Sequence, residues 1–195
     1  MTTPTRDRFL AATNELFRRQ GYHGTSLKQV TDAAGAPTGS LYHFFPGGKE
    51  ELAAEVLTTS GAAYQQLFEL IAADAADPAD AVTDFFEGAA QVLEDGDFID
   101  PCPIGTVGRE VASTSEALRQ ATDRVFAGWI ATASTLFQAA GMDRDVADEL
   151  ATTLVASLEG AFVLARARRD AEPVRVAGRT MRRLVDGALA SVTTR

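Results

Sequence analysis

Apolar side chains recur at helical spacing along almost the whole chain, from Phe9 to Val192. Residues at i, i+3, i+4 and i+7 form one face of a helix, and that spacing repeats here. Glycine and proline residues such as Gly35 and Pro46 interrupt the pattern at intervals of one helix length. No segment shows the two-residue alternation, bounded by turn residues, that is typical of strands. The pattern therefore predicts an all-α fold of about nine helices.

The composition is that of a globular protein without disulfide bonds. The chain has 195 residues, 46% of them hydrophobic, which is sufficient to bury a sizeable core. Its only cysteine is Cys102, so no intrachain disulfide can form. No uninterrupted apolar run reaches the roughly 18 residues that a membrane span needs, and no secretory signal is visible. We expect a cytoplasmic protein with no membrane partner.

Charge is distributed unevenly along the chain. The net charge of −9 argues at first against a nucleic-acid partner, because phosphate contacts need lysine and arginine. Residues 1–50, however, hold six basic and four acidic residues, whereas the remaining 145 hold 12 basic and 23 acidic residues. The net charges are thus +2 and −11. This asymmetry predicts a small N-terminal module joined to a larger body that has a different partner.

The segment Thr25–Leu52 has the pattern of a helix-turn-helix. Two short apolar-periodic stretches meet at Gly35, and a preceding helical stretch can brace them. In such a motif the second helix can enter the major groove of DNA. The alternative is an ordinary helical corner whose polar residues face water. The predicted second helix would expose small or polar groups, namely Thr38, Gly39, Ser40, Tyr42 and His43.

Residues 5–52 resemble the N-terminal domain of the TetR family of bacterial transcriptional repressors. The resemblance is carried by Phe17, Gly21-Tyr22, Thr25-Ser26-Leu27, Val30, Ala33-Ala34-Gly35, Gly39-Ser40-Leu41-Tyr42-His43-Phe44-Phe45 and Lys49-Glu50-Glu51-Leu52. The runs Pro46-Gly47-Gly48-Lys49 and Cys102-Pro103-Ile104-Gly105-Thr106 are similar to the LmrA/YxaF type within that family.

The resemblance implies two domains and a set of DNA-binding residues. Residues 1–50 would be the helix-turn-helix domain, and residues 51–195 would bind an effector and form a dimer. Thr25 or Ser26 would donate to phosphate, and Lys49 would be a phosphate clamp. In the second helix, Thr38, Gly39 and Ser40 would contact base edges. Tyr42 and His43 would contact phosphate or the thymine methyl region.

The larger domain is expected to bind a small hydrophobic or aromatic effector. Aromatic residues at helical spacing can line a cavity between helices, although such residues can equally be ordinary core. A short helix beginning near Cys102 would be a lever between that cavity and the DNA-binding domain, as in relatives. The candidate ligand-binding residues are Phe85, Cys102, Phe126, Trp129 and Phe162.

The last two helical segments are rich in small and branched side chains. Small residues allow helices to approach closely, which suits a two-fold interface of four helices. Packing within one subunit is the alternative. Because helix-turn-helix proteins read pseudo-palindromic sites as dimers, we predict an interface here. Its candidate residues are Ala156, Gly160, Met181, Leu184 and Ala188.

The sequence contains no constellation that indicates catalysis, a metal or another cofactor. Two histidines and one cysteine cannot make a convincing zinc site, and no GxSxG, GxGxxG or HExxH occurs. We therefore predict a non-enzymatic, ligand-responsive transcriptional regulator, a repressor that binds double-stranded operator DNA as a homodimer. The alternative is a helical small-molecule-binding protein that has lost DNA binding.

Overall fold

The computed structural model describes residues 4–99 and 102–193, and all regular secondary structure within these residues is helical, as predicted. Nine helices occur there. They are α1 (Thr5–Gln20), α2 (Leu27–Ala34), α3 (Thr38–Phe44), α4 (Gly48–Asp74), α5 (Pro78–Asp95), α6 (Pro103–Val111), α7 (Glu116–Ala139), α8 (Arg144–Arg168) and α9 (Glu172–Thr193).

The helices form two compact units. The first unit consists of the described residues up to Ala62 together with Cys102–Val125. The second consists of the described residues within 63–101 and 126–195. Both α4 and α7 contribute residues to each unit. The functional boundary at residue 50 stays a prediction, since packing does not report where a function ends.

The first three helices are delimited by local signals. Phe9, Thr13 and Phe17 are buried on one face of α1, and the helix ends at Gly21, which has φ of 73°. A capping box begins α2, in which the Ser26 side chain accepts from the Gln29 backbone N–H while the Gln29 side chain accepts from the Ser26 backbone N–H. The helix ends at a left-handed glycine. These signals explain why α2 is only eight residues long.

Helix α3 is held from beneath by apolar side chains. Leu41 and Phe45 are completely buried. The Phe45 ring meets the Phe9 ring edge-on at 6.5 Å between centroids, and the Arg6 guanidinium lies 5.5 Å from the Phe45 centroid. The remaining side of this seven-residue helix faces solvent. One face is thus anchored and the other is available for a partner.

The second unit is built around the contact of α5 with α9. Gly178 on α9 packs against α5 so closely that a Cβ added there would lie 2.6 Å from Cβ of Phe86. Arg175 bridges the same helices through ion pairs with Glu87 and Glu94. The Arg175 guanidinium lowers the pKa of Glu94 through its hydrogen bonds. These contacts show how part of the acidic body is neutralised within its own fold.

Candidate nucleic-acid interface and ligand groove

The exposed face of α3 carries four of the five residues predicted to meet DNA on this helix. Thr38, Gly39, Tyr42 and His43 are exposed, and Ser40 is half-buried. Tyr42 is 50% exposed although it is a large aromatic residue. Apart from its chain neighbours and the backbone of its own helix, no heavy atom lies within 4 Å of the Cβ position at Gly39. The face is therefore polar, with small side chains at its start and the Tyr42 and His43 rings beyond them.

At the start of α2, Thr25 and Ser26 differ in their environments, although the sequence alone offered either of them as the phosphate contact. Thr25 is buried, and its hydroxyl donates to the Gly21 carbonyl at 2.7 Å. This hydroxyl closes the turn after α1, so Thr25 is corrected from a phosphate donor to a structural residue. Ser26 is exposed at the helix N-terminus, where backbone N–H groups favour an anion. Of the pair, the structure leaves Ser26 as the candidate phosphate contact.

Lys49 lies at the start of α4 and packs on the turn that follows α1. Its ammonium nitrogen is 4.2 Å from the centroid of the Tyr22 ring. Burial lowers the pKa of Lys49, and the negative charge of Glu110 opposes that shift. Burial likewise raises the pKa of the Tyr22 phenol, with a further contribution from Glu50. The half-buried ammonium thus lies against an aromatic ring, in the negative field of Glu110.

Several other cations of the first unit are engaged within the protein. Arg6 pairs with Glu55, and Lys28 pairs with Asp32 at 2.6 Å. A terminal nitrogen of Arg8 donates to the Gly35 carbonyl at 3.3 Å. Of these contacts, only the pair of Arg6 with Glu55 brings in an acid from outside residues 1–50, so it alone lowers the positive field below what the net charge of +2 already counts.

The aromatic residues predicted to line a ligand cavity form two clusters in the second unit. The Phe85 ring lies 5.1 Å from the Phe68 ring, edge to face. The Trp129 ring lies 5.4 Å from Phe126 and 6.1 Å from Tyr64. Phe162 is buried. These contacts are compatible with either core packing or a ligand wall.

Cys102 belongs to the first unit, whereas the four predicted aromatic residues belong to the second. It is buried at the N-cap of α6, and its sulfur accepts from the Gly105 backbone N–H at 3.3 Å. Its grouping with the aromatic residues as one ligand set stays a prediction. The contact observed at the sulfur supports the fold of α6.

A groove of about 600 Å³ lies between α4 and α7 in the second unit. None of the five predicted ligand-binding residues lines it. Phe68 on its floor contacts the predicted residue Phe85, which connects the groove with the aromatic cluster. The groove is lined by Gln65, Phe68, Glu69, Ala72, Ala73, Gly128, Ala131, Thr132, Thr135 and Leu136. Small residues recur at helical spacing on α7, at positions 128, 131 and 135. This pattern is the sequence signal that could have predicted the groove.

The residues predicted for a dimer interface differ in accessibility. Ala156 and Gly160 on α8 are exposed, Leu184 on α9 is 46% exposed and Ala188 is half-buried. Met181 is only 1% exposed within a single chain. Its side chain is already enclosed by its own subunit, so Met181 is corrected from interface to core.

Helix α8 is long and apolar enough to cross a membrane by length and composition alone. One such helix is weak support for a membrane span, since core helices of globular proteins have the same properties. Leu154, Leu158 and Phe162 of this helix are buried inside the protein. Among the described residues, no group of three or more histidine, cysteine or acidic side chains could hold a metal ion.

Comparison with known proteins identifies both parts of the chain. Residues 9–56 match the model for bacterial regulatory proteins of the tetR family. Residues 78–180 match the transcriptional regulator LmrA/YxaF-like C-terminal domain. The chain is 35% identical to the uncharacterized HTH-type transcriptional regulator YxaF of Bacillus subtilis (strain 168), over 87% of this chain and 89% of YxaF. It is 33% identical to the HTH-type transcriptional regulator LmrA of the same organism, over 87% of this chain and 90% of LmrA.

A solved structure supports the same fold. The regulatory protein TetR from Rhodobacter sphaeroides superposes with a TM-score of 0.84 and covers 93% of this chain and 99% of its own. The two sequences are 24% identical, so this similarity supports the fold alone.

Proposed function

The chain belongs to the TetR family of transcriptional regulators, with a C-terminal domain of the LmrA/YxaF-like type, and we propose that it represses transcription from a pseudo-palindromic operator. Regulators of this family bind operator DNA and act as dimers. One α3 helix from each subunit would enter successive major grooves about 34–36 Å apart. An effector would favour a conformation in which the two helices no longer match that spacing.

The observation that carries the proposal is the surface formed by α3 and the two neighbouring helix starts. Tyr42 projects from α3, Ser26 caps α2 in an exposed position, and Lys49 begins α4. A helix N-terminus and an ammonium are phosphate ligands, and polar groups on a short exposed helix can reach base edges. The proposal therefore assigns Ser26 and Lys49 to phosphate, and Thr38, Gly39, Ser40, Tyr42 and His43 to the major groove.

The charges predict how this protein finds its site. A body of net charge −11 repels the duplex, so only the N-terminal module can approach it. Few phosphate contacts mean weak non-specific binding and a shallow dependence on salt. We expect tight binding only where the base contacts are also satisfied.

Replacing Lys49 by alanine is expected to weaken binding to the duplex upstream of the protein's own gene by about tenfold. The variant loses one phosphate contact in each subunit, and each lost contact reduces the salt slope by about 1. Fluorescence anisotropy over a series of salt concentrations measures both quantities.

The matched control is Arg119→Ala. It removes the same charge from the same compact unit, but Arg119 lies on α7 and pairs with Glu116. We expect its affinity and salt slope to stay close to those of the wild type. Equal losses in the two variants would mean that net charge, rather than a contact at Lys49, governs binding.

The same titration separates the alternative function from the proposed one. A helical small-molecule-binding protein that has lost DNA binding would show no saturable, salt-dependent binding to that duplex. The exposed face of α3 favours the regulator, because its polar groups and the Tyr42 side chain are accessible to base edges and phosphate.

We place the effector in the second unit, where the groove and the Phe85 cluster meet at Phe68. The groove offers a ligand the Phe68 ring, several small apolar side chains and the polar groups of Gln65, Glu69, Thr132 and Thr135, so both apolar contact and hydrogen bonding are available. The predicted residues Phe126, Trp129 and Phe162 offer a second possible wall. A small hydrophobic or aromatic compound fits either arrangement.

Filling the groove with Ala131→Trp is expected to abolish the thermal shift produced by hydrophobic compounds that stabilise the wild type. A ligand that binds only the folded state stabilises it by about 2.7 kcal/mol when its concentration is about 100 times its Kd. A groove already filled by the tryptophan side chain cannot bind the ligand, so this stabilisation is lost. Ala127→Trp is the control, since Ala127 is exposed on α7 outside the groove lining. A shift that survives Ala131→Trp but is lost in Phe85→Ala would place the effector at the aromatic cluster instead.

We place the dimer interface on the exposed faces of α8 and α9. Ala156 and Gly160 leave room for close helix approach, and Leu184 offers apolar area to a partner. Val163, Leu164 and Val176 extend the same pair of helices with further exposed apolar side chains. A two-fold axis would bring the same patch of the two subunits together, so that each contact between two different residues occurs twice.

We propose that the protein acts in the cytoplasm, where a DNA-binding regulator meets its operator. We assign it no catalytic activity and no cofactor, and its relatives YxaF and LmrA are transcriptional regulators by name.

A further inference from the structure

Glu110 on α6 reaches the turn that follows α1, 87 residues earlier in the chain. Its Oε2 accepts a hydrogen bond from the His23 backbone N–H at 2.8 Å. The other carboxylate oxygen occupies the position that a Cβ at residue 21 would need. Gly21 also has φ of 73°, a conformation that side chains disfavour. Glycine at this position therefore allows the carboxylate to sit directly against the turn.

The turn held by Glu110 leads without a break into α2. The Thr25 hydroxyl donates to the Gly21 carbonyl at 2.7 Å, and the Gln20 side chain donates to the Gly24 carbonyl at 2.7 Å. These bonds make residues 21–25 one internally braced segment. The next residue is Ser26, the candidate phosphate contact. Holding the His23 amide consequently sets the position of the α2 N-terminus.

The same carboxylate acts on the other candidate phosphate contact. Lys49 packs over the Tyr22 ring, next to the amide that Glu110 accepts from, and the charge of Glu110 favours its ammonium form. A second hydrogen bond involves Glu50, the residue after Lys49 in α4. The Ser115 hydroxyl donates to Oε1 of Glu50 at 2.5 Å. The segment from α6 to the start of α7 thus contacts the turn that leads into α2 and the start of α4.

We propose that Glu110 is a positioning residue for DNA binding, which holds the 21–24 turn and the start of α2 in register with Lys49 at the start of α4. The inference rests on the proposed function, because register matters only if Ser26 and Lys49 meet one duplex. A displacement of α6 would then reach both phosphate contacts through this one side chain. The sequence gives no periodic signal for it.

Glu110→Gln and Glu110→Met separate the hydrogen bond from the charge. Both substitutions remove the negative charge at similar side-chain volume, but only glutamine keeps an oxygen that can accept from His23. We expect E110Q to bind the operator duplex at least as tightly as the wild type, because one negative charge near phosphate is gone. We expect E110M to bind about tenfold more weakly than E110Q, with the same salt slope.

Two further readouts distinguish positioning from a general loss of stability. Stoichiometric titration gives the active fraction, so the affinity refers to folded protein only. Hydrogen exchange at the His23 amide should be faster in E110M than in E110Q, because an unpaired N–H is open to water. A random duplex serves as the control, and its affinity should not differ between the two variants.

The outcomes are separable from those of the proposed function. Equal operator affinity of E110Q and E110M would overturn the positioning role and leave only a charge effect. E110A provides the same comparison with E110Q without the bulk of a methionine, and an affinity equal to that of E110Q would also overturn it. If the wild-type protein itself fails to bind the duplex, the proposed DNA-binding function fails instead.

Discussion

Truncating Tyr42 to alanine is expected to lower operator affinity by about 100-fold. Tyr42 is the large side chain that projects from α3, and it is 50% exposed in the protein alone. A contact to phosphate or base is worth about 1–3 kcal/mol, and a dimer loses the contact twice. A combined loss of about 3 kcal/mol corresponds to about two powers of ten in Kd. Anisotropy titration of the wild-type and variant proteins with the same duplex measures this directly.

Tyr42→Phe is the matched variant, because it removes the hydroxyl and keeps the ring. An intermediate loss would assign part of the energy to a hydrogen bond with phosphate, and an affinity equal to wild type would assign it to ring contact. The exposed ring contributes little to the core, so Tm should change by only a few degrees in either variant. Unchanged operator binding by Tyr42→Ala would contradict the assignment of α3 as the recognition helix.

Replacing Leu184 by aspartate is expected to convert the dimer into monomers at micromolar concentration. Leu184 is 46% exposed on α9, and the proposed interface would bury it. An aspartate there would be buried without a partner, which costs several kcal/mol per ion. Two-fold symmetry applies that cost in both subunits. Sedimentation equilibrium measures the association constant, and operator binding should fall with it because a single α3 reads only one half-site.

Leu70→Asp is the control for the dimer experiment. Leu70 is 70% exposed on α4, in the same compact unit but outside α8 and α9. The substitution is chemically identical, so it tests whether any surface aspartate reduces association. A dimer that persists in Leu184→Asp, or dissociation in Leu70→Asp alone, would place the interface elsewhere on the molecule.

Net charge is informative in this protein only when its position is known. The −9 total is compatible with DNA binding because the acidic excess lies outside residues 1–50. The structure adds that Arg6 and Lys28 in that segment are themselves paired with acids. Affinity must therefore come from a few placed contacts, which is why single substitutions at Tyr42 and Lys49 are expected to have large effects.

The sequence alone was sufficient to predict the helices and the helix-turn-helix. Their signals are local: a capping box at Ser26 and Gln29, glycines with positive φ at positions 21 and 35, and Pro78 at the first turn of α5. Each of these acts within four residues of the chain, so its effect can be worked out without knowing what packs nearby. The exposed polar face of α3 followed from the same helical period.

Only the tertiary structure decided which member of a neighbouring pair faces inward. Thr25 and Ser26 are adjacent, yet one hydroxyl closes a turn and the other is exposed. Met181 and Leu184 share one side of α9, but their accessibilities are 1% and 46%. Periodicity identifies a face to within about one residue, whereas the helices packed against it determine where burial ends.

The contact between Glu110 and His23 marks the limit of sequence reasoning here. Hydrophobic periodicity predicts which residues of α6 are buried, but it says nothing about which backbone amide a carboxylate meets 87 residues away. That contact depends on how close α6 approaches the turn, and the missing side chain at Gly21 permits the approach. Local conformational preferences therefore determined the helices and the DNA-binding motif, and long-range packing decided which side chains hold that motif in place.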